Sequence, residues 1–220
     1  MAAVLFGSIS TIADTSELQR VAFNRAFAEH GLDWHWDREE YLSLLESNGG
    51  QARIAAYAST RGQSVDAAAV HATKSELFRK ALADTPPASR QGVTDTIGRA
   101  HQAGVKVGLV TTTAPENVSA LLRALPDLQA ADFDVVVDSS AGEASKPDPG
   151  AYLFALRQLE ESAAACIAIE DNLGGVQSAG GAGLRCVAFP NENTASHDFT
   201  GAHDRVEVLD PGALLALVVH

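Results

Sequence analysis

Residues 166–175 read CIAIEDNLGG: four apolar or small residues, two adjacent carboxylates with an asparagine (Glu170, Asp171, Asn172), and a glycine pair. The apolar run is strand-like, and helical periodicity follows over 174–182. This is a strand, a polar loop and a helix in succession. The same unit recurs through the chain. Strand-like runs stand at 2–6, 105–110 (VKVGLV), 133–137 (FDVVV) and 186–189 (CVAF). Helical runs lie at 115–125 and 149–160, and another (TDTIGRAHQAG) ends at Gly104, a residue suited to the position just past a helix. Short, continuously apolar strands alternating with helices predict an α/β fold whose parallel sheet is covered on both faces.

One region breaks the alternation. Residues 15–84 carry only helical periodicity, in four runs: SELQRVAFNRAFAEHG, DREEYLSLLESNG, QARIAAYASTRG and VDAAAVHATKSELFRKALA. The Asp-Thr-Pro-Pro of 84–87 then reads as a linker, because proline fixes φ and restrains the residue before it. The expected organisation is a core of residues 1–14 and 87–220, interrupted by a helical cap over 15–86.

In an open parallel sheet, ligands sit beyond the carboxyl ends of the strands. Gly7, Ser8, Ile9, Ser10 and Thr11 follow the first strand. Thr111, Thr112 and Thr113 follow the second and precede a helix opening at Pro115. Hydroxyls there, backed by helix N-terminal amides, suit a phosphate oxygen, although a threonine in that place also caps helices. Lys146, ahead of the rigid Pro147-Asp148-Pro149, is placed to point a positive charge inward; a lone lysine before a turn is more often on the surface. Glu170 and Asp171 suit a hard cation such as Mg²⁺, and standing alone would equally start a charged loop. Their succession after consecutive strands makes the set more informative than its members.

Composition narrows the partners. Against 28 Asp and Glu stand 16 Lys and Arg, a formal charge of −12 over 220 residues. Such a field repels nucleic acid backbones and anionic membranes, but leaves room for a small anion held by local donors. Cys166 and Cys186 each sit in an apolar run and read as buried thiols of a reducing compartment. The start, MAAVLFGSIST, lacks a basic leader region, so a cytoplasmic location is expected.

Lys146-Pro147-Asp148-Pro149 with Tyr152, and Ile169-Glu170-Asp171-Asn172 with Gly174 and Ala179, resemble the third and fourth motifs of the haloacid dehalogenase (HAD) superfamily of phosphatases and phosphomutases. AFNRAFAEHGLDWHW, Gly49-Gly50-Gln51-Ala52-Arg53-Ile54, His71-Ala72-Thr73-Lys74 and TTTAPENV are similar to the β-phosphoglucomutase-like branch, in particular its CbbY-type phosphatases of xylulose bisphosphate. The resemblance implies a HAD-like Rossmannoid core with an inserted four-helix cap. It also implies phosphate held by Thr111, Thr112 and Lys146, a second phosphate met in the cap by Gly50, Arg53 and Lys74, and Mg²⁺ at Glu170 and Asp171. Gln51 replaces a lysine usual in that group, and Trp34 and Trp36 are expected to pack an inter-helix loop.

The family's first motif places a nucleophilic, metal-binding Asp directly after the first strand and an acid/base Asp two residues on. Here Gly7 and Ile9 stand in those places, while Phe6, Thr11, Asp14 and Thr15 keep the frame. Losing a nucleophile costs on the order of 10⁶ in rate. If the strand continued, Ser8 would face away. Asp14 reads as a hinge or helix-cap carboxylate. The expectation is a catalytically silent homologue that keeps sugar-phosphate or phosphate binding, with a weakened Mg²⁺ site. The alternatives are a phosphatase working by another mechanism, and a scaffold for a protein partner.

Overall fold

The computed structural model describes residues 2–45 and 49–218. Its sheet comprises β1 (Ala3–Phe6), β2 (Lys106–Val110), β3 (Val135–Val137), β4 (Ile167–Glu170), β5 (Arg185–Ala188) and β6 (Asp204–Arg205), all parallel and ordered β3-β2-β1-β4-β5-β6. The helices are α1 (Ile9–Ile12), α2 (Ser16–Glu29), α3 (Arg38–Leu44), α4 (Gly50–Thr60), α5 (Ala67–Asp84), α6 (Val93–Gln102), α7 (Pro115–Ala124), α8 (Gly150–Leu159), α9 (Leu173–Gly181) and α10 (Pro211–Ala216). The α/β reading therefore holds. The strand order reverses between β1 and β4, whose pairing puts Phe6 beside Ile169. A reversal of this kind opens a crevice at the carboxyl ends of the strands.

Alternation along the strands separates two cores. Val4, Phe6, Val107, Leu109, Ile167 and Ile169 pack with Ile97 of α6 and Val118 and Leu121 of α7. Ala3, Leu5, Ala168, Cys186 and Ala188 face the other way, against Tyr152 and Ala155 of α8 and Val176 and Ala179 of α9. The small side chains on this second face bring α8 and α9 close to the sheet. Helices α2 to α5 gather a third, aromatic cluster: Phe23, Phe27, Trp34, Trp36, Tyr41 and Ile54 are buried together. The Trp36 ring lies 4.9 Å from Phe23 and 4.6 Å from Phe27, and the Trp34 ring 5.2 Å from Phe27, which accounts for both tryptophans as packing residues.

Strand ends differ from the sequence reading by one or two residues. Phe133 is extended but lies ahead of β3, and Glu170 completes β4. Three elements carried too little periodicity to be read: α1, β6 and α10. Residues 46–48 of the second helical run lie outside the described residues. Among the described residues, no helix is long and apolar enough to cross a membrane.

Candidate functional site

The crevice opens into a cleft of about 620 Å³ between the sheet's carboxyl end and helices α2, α4 and α5. Its floor is built by the segments after β1, β2 and β4. The chain after Phe6 does not continue as strand. Ser8 instead caps α1, its Oγ accepting the N–H of Ser10 at 3.0 Å and of Thr11 at 3.1 Å. The hydroxyl is thereby turned onto Asp171 Oδ1, to which it donates at 2.6 Å. This corrects the outward placement expected from strand geometry; the Ser-x-x-Thr spacing after a short strand carried the capping signal. Ile9 is buried at the cleft floor and packs into the core.

Gly7 leaves a space, and Glu170 fills it. A Cβ built on Gly7 would collide with the Glu170 carboxylate and the Tyr152 hydroxyl, and one on Gly175 would collide with the same carboxylate. Glu170 is 0% exposed. Its Oε1 accepts from Lys146 Nζ at 2.6 Å and from Tyr152 Oη at 2.7 Å, while Oε2 is buried without a hydrogen-bond partner among the described residues. Burial pushes the Glu170 carboxyl up, with Lys146 opposing and Asp171 reinforcing. Lys146 does point inward. Its ammonium also donates to the carbonyls of Gly7 and, at 2.8 Å, of Val110. All three of its N–H groups are thus engaged by protein acceptors.

Asp171 has a different surrounding. It lines the cleft, and donors reach both its oxygens: Ser8, Thr11 (3.1 Å) and Asn172 (3.2 Å) on Oδ1, Asn191 (3.2 Å) on Oδ2. Thr194 Oγ1 donates to its carbonyl at 2.6 Å. Asn191 and Thr194 are additions to the residues expected from the sequence; their place just after the fifth strand is the signal that marks them. For the Mg²⁺ the resemblance implies, this donor set does not fit. One carboxylate is sealed behind an ammonium and a phenol, the other already accepts three donors on one oxygen and one on the other, and position 7 offers none. Among the described residues, no three His, Cys, Asp or Glu side chains stand together so as to hold a metal ion.

Thr111, Thr112 and Thr113 border the cleft ahead of α7, with Thr111 Oγ1 accepting the N–H of Thr113 at 3.1 Å. Asn117, on the first turn of α7, also lines it and accepts from Arg79 at 3.0 Å. On the helical side stand Gly50, Arg53, His71 and Lys74. Gly50 permits close approach, since a Cβ there would lie 2.6 Å from His71 Nε2. Arg53 is buried, donates to the Leu44 carbonyl at 2.8 Å and lies over the Tyr41 ring. Lys74 is buried over the rings of Phe23 and Phe78 and donates to Gln19 Oε1 at 2.9 Å. Burial, reinforced by Arg53, brings its ammonium down to about 7. Burial and the same two cations bring His71 down to about 4, so it is neutral at neutral pH. Asp14 caps the entry to α2, accepting from the Ser16 N–H at 3.1 Å and Oγ at 2.6 Å.

This geometry meets a matching family model: residues 10–189 fit that of haloacid dehalogenase-like hydrolases. The protein CbbY of Cereibacter sphaeroides is 41% identical over 206 residues, covering 91% of this chain and 89% of that one. The chain belongs to the CbbY-type HAD phosphatases. Crystal structures of CbbY from Rhodobacter sphaeroides, one in complex with phosphate and one of a point mutant in complex with xylulose 1,5-bisphosphate, superpose with TM-scores of 0.86 at 40% identity, covering 94% of this chain and 93% of theirs. Within this CbbY-type frame, Gly7 and Ile9 occupy the floor of the cleft.

Proposed function

We propose that this chain binds a sugar phosphate of the xylulose bisphosphate class and does not turn it over. The observation that carries the reading is the closed slot at Gly7, where a neighbouring carboxylate, already paired, takes the space a nucleophilic side chain would need. Ser8 is no substitute. Its two lone pairs accept backbone N–H groups and its proton goes to Asp171. Ile9 has no proton to give.

Recognition follows from the two ends of the cleft. We assign one phosphate to the hydroxyls of Thr111 and Thr112 at the opening of α7, where helix amides favour an anion. Lys146 acts there as a fixed positive charge behind the site, its N–H groups remaining with Gly7, Val110 and Glu170. We assign the second phosphate to Arg53 and Lys74, on the helical layer of residues 15–86, which we take as the cap. Gly50 brings α4 close enough for neutral His71 to meet a sugar hydroxyl. The ligand complexes of the R. sphaeroides relative support this choice of class.

Calorimetry with xylulose 1,5-bisphosphate should give saturable binding, and phosphate release from the same compound should stay at the buffer blank. Release over many turnovers, lost in Asp171→Ala, would establish the second reading, hydrolysis without a covalent intermediate. That reading is favoured by one feature, the position of Asp171 on the cleft wall. No heat with any phosphate ester would leave neither reading standing.

A further inference from the structure

We infer that this cleft takes its phosphate ester in metal-free form, with no divalent cation between ligand and protein. The inference rests on the sugar-phosphate reading and specifies the ionic form of the ligand. A Mg²⁺ ion asks for near-octahedral oxygen coordination and is normally anchored by one or two carboxylates with free lone pairs. Among the described residues, the only carboxylate that lines the cleft is that of Asp171. Position 7 has no side chain. Glu170 is enclosed, with one oxygen held by Lys146 and Tyr152. Asp171 has three donors on Oδ1 and Asn191 on Oδ2, so most of the lone-pair directions a cation would need are already taken.

The charge balance makes the metal unnecessary as well. Arg53, Lys74 and Lys146 border the cleft, against the carboxylates of Glu170 and Asp171. Lys146 sits at the end of β1 and β2 and neutralises Glu170 from within, which is the work a divalent ion would do among bare carboxylates. Among the described residues, an anionic ester entering from solvent meets a cleft lining with a single carboxylate, Asp171, even in a protein of net charge −12.

The test compares calorimetric titrations of the whole chain with orthophosphate and with xylulose 1,5-bisphosphate, in excess MgCl₂ and in excess EDTA. The dissociation constants should agree within about threefold, under about 0.7 kcal/mol. Binding that needs Mg²⁺, or strengthens in it by more than that, overturns this inference and leaves the sugar-phosphate reading intact. No binding in either buffer removes both. A second measurement needs no ester: Mn²⁺ titrated into the protein should keep its free-ion electron paramagnetic resonance signal. Stoichiometric loss of that signal, prevented in Asp171→Ala, overturns the inference independently.

Discussion

At Gly7 the decisive neighbour is a carboxylate. Glu170 fills the space bounded by Gly7 and Gly175 and takes Lys146 as its counter-ion. A buried ion pair broken on one side leaves an uncompensated charge, a loss of about 3–5 kcal/mol. Glu170→Ala should therefore destabilise strongly. Gly7→Asp should also destabilise, by about 3 kcal/mol or more, because a second carboxylate must enter a filled slot. The double variant should recover at least about 2 kcal/mol of the summed loss, since one carboxylate again faces one ammonium. Urea denaturation of the four proteins checks this, and additive losses would contradict it. The exchange was invisible in the sequence. Gly7 and Glu170 are far apart in the chain, and nothing local to either says that one fills the other's space.

Among the elements, α5 carries the clearest conflict between stability and binding. Lys74 lies among aromatic rings with its ammonium at about 7, well below the ordinary 10.5. Between those values the unfolded chain holds more protons than the folded one, so this group's contribution to stability improves as pH rises from 7 towards 10.5. Below 7 the charge is present and its desolvation is fully felt. Lys74→Met should raise the melting temperature while weakening bisphosphate binding about tenfold or more, the loss expected for a charged hydrogen bond. Sulfate, whose own charge is constant, should bind best below pH 7 and more weakly as pH rises through it. Calorimetry in buffers of different ionisation enthalpy should register proton uptake on binding near pH 7. The helices themselves were legible, because α2, α4 and α5 have sustained periodicity and α7 opens on proline. The short elements α1, β6 and α10 were not, because their bounds are set by tertiary partners. The threonines, Lys146 and the two acids were legible as a group through their places after strands. What each touches depended on side-chain competition: Ser8 reached Asp171 only because the strand stopped at Phe6.

For the molecule as a whole, Arg90 governs how the helical layer is fastened to the sheet. Its backbone N–H donates to Ile12 at 2.9 Å, on the outgoing connection. Its guanidinium donates to the carbonyls of Ser10, Phe189 (2.8 Å) and Pro190 (2.7 Å), and lies 3.4 Å from the centroid of the Phe189 ring. One residue thus ties the outgoing and returning crossings to the loop after β5 that encloses Asp171. Arg90→Ala should cost about 2–3 kcal/mol, read from the urea midpoint. Arg90→Lys should restore little, because an ammonium does not reproduce the planar fork or its stacking. The filled slot at position 7 also sets what a single substitution can do. An aspartate placed there alone would leave two acids competing for one lysine. The slot therefore works as a ratchet, and a carboxylate at that position calls for coordinated replacements rather than one change.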